Sequence, residues 1–178
     1  MTTAPEFARP IRFDSIGEAE RAVDLEATPE ERAALARRFG LIALDRLVAE
    51  ARLHRQGQAV LAEGRLAAEV QQACVATGEP VPAAIDESFR LRFVPEAEMS
   101  AEGDEIELSE EDCDTIPFDG ALIDIGEAVA ETLALALDPF PRSPDAAATL
   151  KAAGVLLEGE EETGPFAALK ALRDKLGG

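Results

Sequence analysis

Residues 47–93 read LVAEARLHRQGQAVLAEGRLAAEVQQACVATGEPVPAAIDESFRLRF, and their periodicity decides the fold. Apolar residues recur at every second position, the period of a strand with one buried face. Leu47, Ala49, Ala51 and Leu53 alternate with Val48, Glu50 and Arg52. After the turn Arg55-Gln-Gly-Gln58, a long strand places Val60, Ala62, Leu66, Ala68 and Val70 on one face. Gly64 interrupts that face, where a bulge or bend is expected. The turn Thr77-Gly78-Glu79-Pro80 leads to a third strand. There Ile85, Phe89, Leu91 and Phe93 face one way, and Asp86, Ser88, Arg90 and Arg92 the other. Short turns between alternating strands predict an antiparallel meander.

Upstream, two strand-like runs, Pro10–Phe13 and Arg21–Leu25, flank a turn near Gly17. A helix follows, with Thr28 as its cap, Pro29 at the first helical position and Glu31 completing a capping box. Arg37 and Arg38 occupy its last turn and Gly40 ends it. Downstream, residues 95–120 (PEAEMSAEGDEIELSEEDCDTIPFDG) read as an acidic, flexible insertion, with Ile106 and Leu108 able to form a short edge strand. A helix over 124–137 carries the stripe Ile125, Val129, Leu133 and Leu137, widened by Ala134 and Leu135. Its C-terminal half is therefore expected to be buried. Pro139 and Pro141 stop it. Residues 143–163 read as a linker with a short helix inside it. Pro165–Leu176 reads as a last helix with Phe166, Leu169, Leu172 and Leu176 on one stripe. The expectation is an α+β fold over 1–178, a single domain. Its antiparallel meander, open or curled toward a barrel, packs with about three helices.

The net charge of −19 is uneven. Residues 1–95 carry 15 acidic and 12 basic side chains, whereas residues 96–178 carry 21 and 5. Within 96–131 there are 14 acidic side chains and no basic one. Such a block repels phosphate and releases few counterions from nucleic acid, so a basic protein is the better partner for it. It also serves solubility alone. Neither a basic stretch followed by an apolar run at the N-terminus nor a run of about 18 apolar residues is present. Cys74 and Cys113 lie far apart and read as free thiols. A cytoplasmic location is expected, with no membrane partner.

Catalytic signals are sparse. His54 is the single histidine, and no partner residues are identified that would complete a triad with it. No phosphate-binding glycine loop and no zinc spacing occur, so neither cofactor nor metal is expected. Cys74 has no basic flank and reads as a small buried side chain. Asp124, Glu127 and Glu131 fall at i, i+3 and i+7, on one side of a helix. They suit the helix dipole and a solvated face, a dock for a basic partner, or a weak divalent-cation site.

Three segments carry a family resemblance: Cys74-Val-Ala-Thr-Gly78-Glu-Pro80-Val81, Asp124–Arg142 (DIGEAVAETLALALDPFPR) and Gly164-Pro165-Phe166-Ala-Ala-Leu169-Lys170. In order and type they resemble the YceD-like proteins, named for accumulation of the large-subunit ribosomal RNA. Beyond those already named, the motif positions are Gly126, Pro139, Pro141 and Arg142. Many relatives carry a second cysteine where this chain has Thr77, and some carry further cysteines where it has Ser143-Pro-Asp145. A shared metal or redox role is thereby put in doubt.

The resemblance implies a role in keeping large-subunit ribosomal RNA at its normal level. In many bacteria the family's gene lies beside that of the small, basic large-subunit ribosomal protein L32. The reading that joins resemblance and charge is a non-enzymatic factor of large-subunit biogenesis. It would bind that basic ribosomal protein or a precursor particle through Glu110, Glu111, Asp112, Asp114, Glu127 and Glu131. Two alternatives compete with it. One is a metal-assisted ribonuclease using Asp124, Glu127 and Glu131. The other is direct RNA binding through Arg37, Arg38, Arg90 and Arg92, which requires those arginines to form one patch.

Overall fold

A computed structural model describes residues 5–99 and 114–155 of the chain. The chain begins with β1 (Pro10–Arg12), β2 (Arg21–Glu26) and α1 (Pro29–Phe39). The meander follows as β3 (Ala43–Gln56), β4 (Ala59–Ala73) and β5 (Pro80–Pro95), with a one-turn helix α2 (Glu96–Met99) after it. Then come β6 (Asp114–Phe118), β7 (Leu122–Asp124), α3 (Ile125–Ala136) and α4 (Ala146–Ala152). Strands β2-β3-β4-β5-β6 form a five-stranded sheet in that order, and β1 pairs with β7 in a second, two-stranded one. The large sheet is open, with β2 and β6 at its edges, and is not closed into a barrel. The fold is α+β, as the alternation and the caps predict.

The predicted inner faces are the buried ones. Leu47, Leu53, Val60, Leu66, Val70, Leu91 and Phe93 join Leu25, Leu35, Ile123, Ile125, Val129 and Leu133 in one core. At α1 the capping box is complete: the Glu31 amide donates to Thr28 Oγ1, and the Thr28 amide donates to the Glu31 carboxylate. Gly40 terminates the helix in the left-handed conformation, at φ 66°.

Four expectations are corrected. Gly64 marks no bulge, because the pairing of β4 with both neighbours runs through it unbroken. It sits opposite Phe89, and a Cβ there would lie 2.5 Å from the Phe89 ring and 2.3 Å from the Glu50 carbonyl. The irregularity lies instead between Leu44 and Arg46. Second, Asp114–Phe118 belongs to the sheet rather than to the acidic insertion, because Ile116 and Phe118 pack against the core. It joins β5 in parallel, so the five-stranded sheet is mixed at that edge, while the meander β3–β4–β5 is antiparallel as expected. Third, the buried part of α3 is mainly its N-terminal half, with Ile125, Gly126, Ala128, Val129 and Ala130; in the second half Leu133 is fully buried, whereas Leu135 is 83% exposed. The apolar stripe is wider than the surface available to cover it. Fourth, Ser143 and Ala146, at the head of the expected linker, are buried. Ile106, Leu108 and the expected helix over 165–176 lie outside the described residues.

Candidate functional site

The motif segment that opens α3 is held by the N-terminal region of the chain. Pairing of β1 with β7 sets Pro10 opposite Asp124, which brings residues 7–9 over the first turn of α3. Asp124 caps the helix: its Oδ1 accepts from the amides of Gly126 and Glu127, each at 3.1 Å, and from the Arg9 amide at 2.7 Å. Gly126 is needed for close approach, since a Cβ there would lie 2.0 Å from the Phe7 carbonyl oxygen.

Glu127 points across to the last turn of α1. Arg38 grips it with two hydrogen bonds of 2.6 and 2.9 Å and also donates to Glu6 at 3.0 Å. The Glu127 carboxylate is the main cause holding the Arg38 guanidinium above its ordinary pKa. A second fork lies nearby, where Arg9 donates to both oxygens of Glu31 at 2.7 and 2.9 Å. Those bonds, ahead of the Thr28 amide, pull the Glu31 carboxyl down to about 2.

These geometries redistribute the predicted site residues. Asp124 and Glu127 face inward to backbone amides and to Arg38, while Glu131 is exposed, so the three carboxylates do not converge on one point. Among the described residues no group of three histidine, cysteine or acidic side chains could hold a metal ion. The four arginines proposed for RNA do not form one patch either. Arg38 is committed to Glu127 and Glu6, and Arg90 pairs with Glu63. Arg90 and Arg92 stand on the outer face of β5, away from the core side that α1 covers. Glu110, Glu111, Asp112, Cys113, Pro165, Phe166 and Leu169 lie outside the described residues.

A second cluster joins two motif segments that the sequence keeps about seventy residues apart. Cys74 follows β4, and its carbonyl accepts from Gly78 in a turn completed by the left-handed Gly78, at φ 75°. The Cys74 amide donates to the Glu79 carbonyl at 2.8 Å, one residue before Pro80. Against this turn lies the segment after α3. The Val75 amide donates to the Pro141 carbonyl at 2.9 Å, and Gln72 Nε2 to the Asp138 carbonyl at 2.8 Å. Between the prolines, the Phe140 amide bonds to Asp138 Oδ1.

The Ser143 amide donates to Cys74 Sγ at 3.3 Å, and the hydroxyls of Thr77 and Ser143 are 3.3 Å apart. The Ser143 hydroxyl, then its amide, then Thr77 draw the Cys74 thiol down to about 6, while burial acts the other way. Cys74 is buried, as expected, but the missing basic flank was a poor guide to its acidity. The donors come from Ser143, far along the chain, and no local pattern announces them.

A third feature has no motif behind it. Leu135, Phe140 and Val75 are large apolar side chains exposed to solvent, Phe140 by 70%. Phe140 follows α3 in sequence, and the Val75 amide is bonded to the carbonyl of the next residue, Pro141. A groove between the end of α3 and the β5–β6 edge is lined by Leu135, Ala136 and Thr132, with Glu87, Arg90 and Asp114 among its polar residues. A separate cleft over β2–β4, bounded by Asp24, Glu26, Arg46, Glu50 and Arg65, contains none of the motif residues.

The molecule is thus an α+β protein whose motif residues gather at junctions between segments rather than around a pocket. The chain belongs to the family described as large ribosomal RNA subunit accumulation protein YceD, whose model matches residues 62–173. Comparison with curated proteins and with solved structures found no match. The family ties the protein to accumulation of the large-subunit ribosomal RNA. Arg9 and Arg38, which hold the motif at α3, lie outside the matched range. Among the described residues no helix is long and apolar enough to cross a membrane.

Proposed function

We propose that the protein is a non-enzymatic, cytoplasmic factor of large-subunit biogenesis that binds a small basic ribosomal protein or the precursor particle carrying it. The observation that carries this reading is where the arginines are spent. Arg9, Arg12, Arg65 and Arg90 pair with carboxylates of residues 1–95, and of these arginines and Arg38, only Arg38 reaches across, to Glu127. Among the described residues of the second half, Asp114, Glu131 and Asp138 are exposed and take no part in these ion pairs, and a basic protein would supply their counter-charge without the repulsion that RNA would meet.

On this reading the docking residues lie elsewhere within the acidic surplus of residues 96–178. Glu127 is neutralised by Arg38, so Glu131, Asp138 and Asp114 carry the contact instead. The test is affinity capture of the tagged protein, with and without nuclease, followed by titration of the recovered partner. Recovery of one basic ribosomal protein after nuclease, with weaker binding by Glu131→Lys/Asp138→Lys, supports the reading. Recovery only within RNA-dependent particles, or equal binding by the reversed variant at moderate salt, overturns the acidic dock.

A further inference from the structure

The exposed apolar side chains Leu135 and Phe140, at and just beyond the end of α3, have a matching segment elsewhere in the chain. Residues 164–178, GPFAALKALRDKLGG, place Phe166, Leu169, Leu172 and Leu176 at helical spacing. They also carry three basic side chains, Lys170, Arg173 and Lys175, against one acid, Asp174. Residues 96–163 carry only two basic side chains, Arg142 and Lys151, against 20 acidic ones. The tail is thus basic in the half of the chain where everything before it is acidic.

We propose that residues 164–178 dock on this protein's own Leu135–Phe140 face, apolar stripe against Leu135 and Phe140, basic side chains toward Glu131, Asp138 and Asp114. The proposal goes beyond the ribosomal reading and does not rest on it. Because the tail uses the same Glu131, Asp138 and Asp114, it would hold that surface until a basic partner displaces it. Three observations carry it. The first is the exposure of Leu135, one turn of the helix from exposed Glu131 and two residues after fully buried Leu133, and of Phe140 just beyond the helix end. Large apolar side chains left exposed beside a groove with polar lining suit an interaction surface. The second is charge. Glu131 lies one turn before Leu135, Asp138 lies between Leu135 and Phe140, and Asp114 lines the groove beside Leu135. The opposing charges are Arg142, exposed after Pro141, and Arg90 in the groove, which is paired with Glu63.

The third is reach. Ser143 is fastened to Cys74 beside the patch, and α4 begins three residues later. A seven-residue helix advances only about 10 Å, which keeps Val155 close to the same end of the molecule. Residues 156–163, fully extended, then span roughly 26 Å, ample to return the tail to α3. Glu158, Glu160, Glu161 and Glu162 in that span are repelled by the acidic surface, so the segment favoured at the patch is the basic one that follows.

Hydrogen exchange on the full chain tests the docking reciprocally. Leu169→Gln/Leu172→Gln should make amides over 133–141 exchange several-fold faster, and Leu135→Gln/Phe140→Ser should do the same to amides over 164–176. Both effects should be equal at low and high micromolar protein. Independence of the two segments overturns the proposal. Protection that disappears on dilution also overturns it, and assigns the face to a second copy of the chain. Leu135 and Phe140 are exposed, so the second variant leaves the core intact, and an unchanged urea midpoint for the first is the control that its effect is local.

Discussion

The two ends of α3 are built from similar residues and behave oppositely. At its start, Asp124, Gly126 and Glu127 are consumed by the protein itself: three backbone amides on one carboxylate oxygen, a glycine pressed on the Phe7 carbonyl, and a carboxylate in the fork of Arg38. At its end, Leu135 and Phe140 stand in solvent, and Glu131 is exposed beside them. The difference shows that a motif residue and an available residue are separate things. Carboxylates on one helix divide into those that fasten the fold and those left for a partner. The fastening comes from residues 6–38, which the helix sequence does not mention.

If that contrast is right, substitutions at the start of α3 damage the fold and those at its end do not. The largest effect is expected for Gly126→Ala. Its Cβ meets backbone rather than a yielding side chain, so the N-terminal segment must lift from α3 at a loss of about 2–4 kcal/mol in urea unfolding. An unchanged midpoint would show that residues 7–9 do not seat there.

Next comes Glu127→Lys, which sets two cations together and leaves Arg38 with Glu6 alone; a loss of about 1–3 kcal/mol is expected. The exchanged pair Arg38→Glu/Glu127→Arg should recover part of it, incompletely because Glu6 then faces a carboxylate. Additivity of the two single changes would dissolve the pair.

Cys74 sharpens the comparison at the second junction. Its pKa is depressed in the folded protein to about 6, below the ordinary thiol value of roughly 8.5. Its contribution is therefore fully present above the unfolded pKa and is lost as pH falls through 6. The stability difference between the protein and Cys74→Ala should grow in favour of the thiol from about pH 6 to about pH 9. A difference that stays flat across that window would mean that Ser143 and Thr77 do not stabilise a thiolate. The smallest effect is expected for Leu135→Gln, within about 0.5 kcal/mol, because a side chain already in water loses little. A large loss there would make the end of α3 part of the core after all.

Much of the fold is legible before any coordinate. The alternation over 47–93 sets the buried faces of β3, β4 and β5, and Thr28, Pro29, Glu31 and Gly40 mark both ends of α1, because these signals are local. Legibility stops at Gly64, whose neighbour Phe89 lies on another strand, and at Asp114–Phe118, whose acidic surroundings hide two side chains that pack. It stops too at the site. The motif residues could be named, but not the partner each one uses.

By itself the sequence determines which faces are apolar, where α1 begins and ends, and that the acidic charge belongs to the second half of the chain. These follow from repeat period, capping chemistry and composition, all readable within a few residues. Only the tertiary structure decides that Glu127 is spent on Arg38, that Ser143 acidifies Cys74, and that Leu135 is exposed while Leu133 is buried. Each of those depends on a contact between residues far apart in the chain, or on how much of a stripe a neighbour covers. Such contacts are set by how the chain folds back on itself, and no periodicity records them.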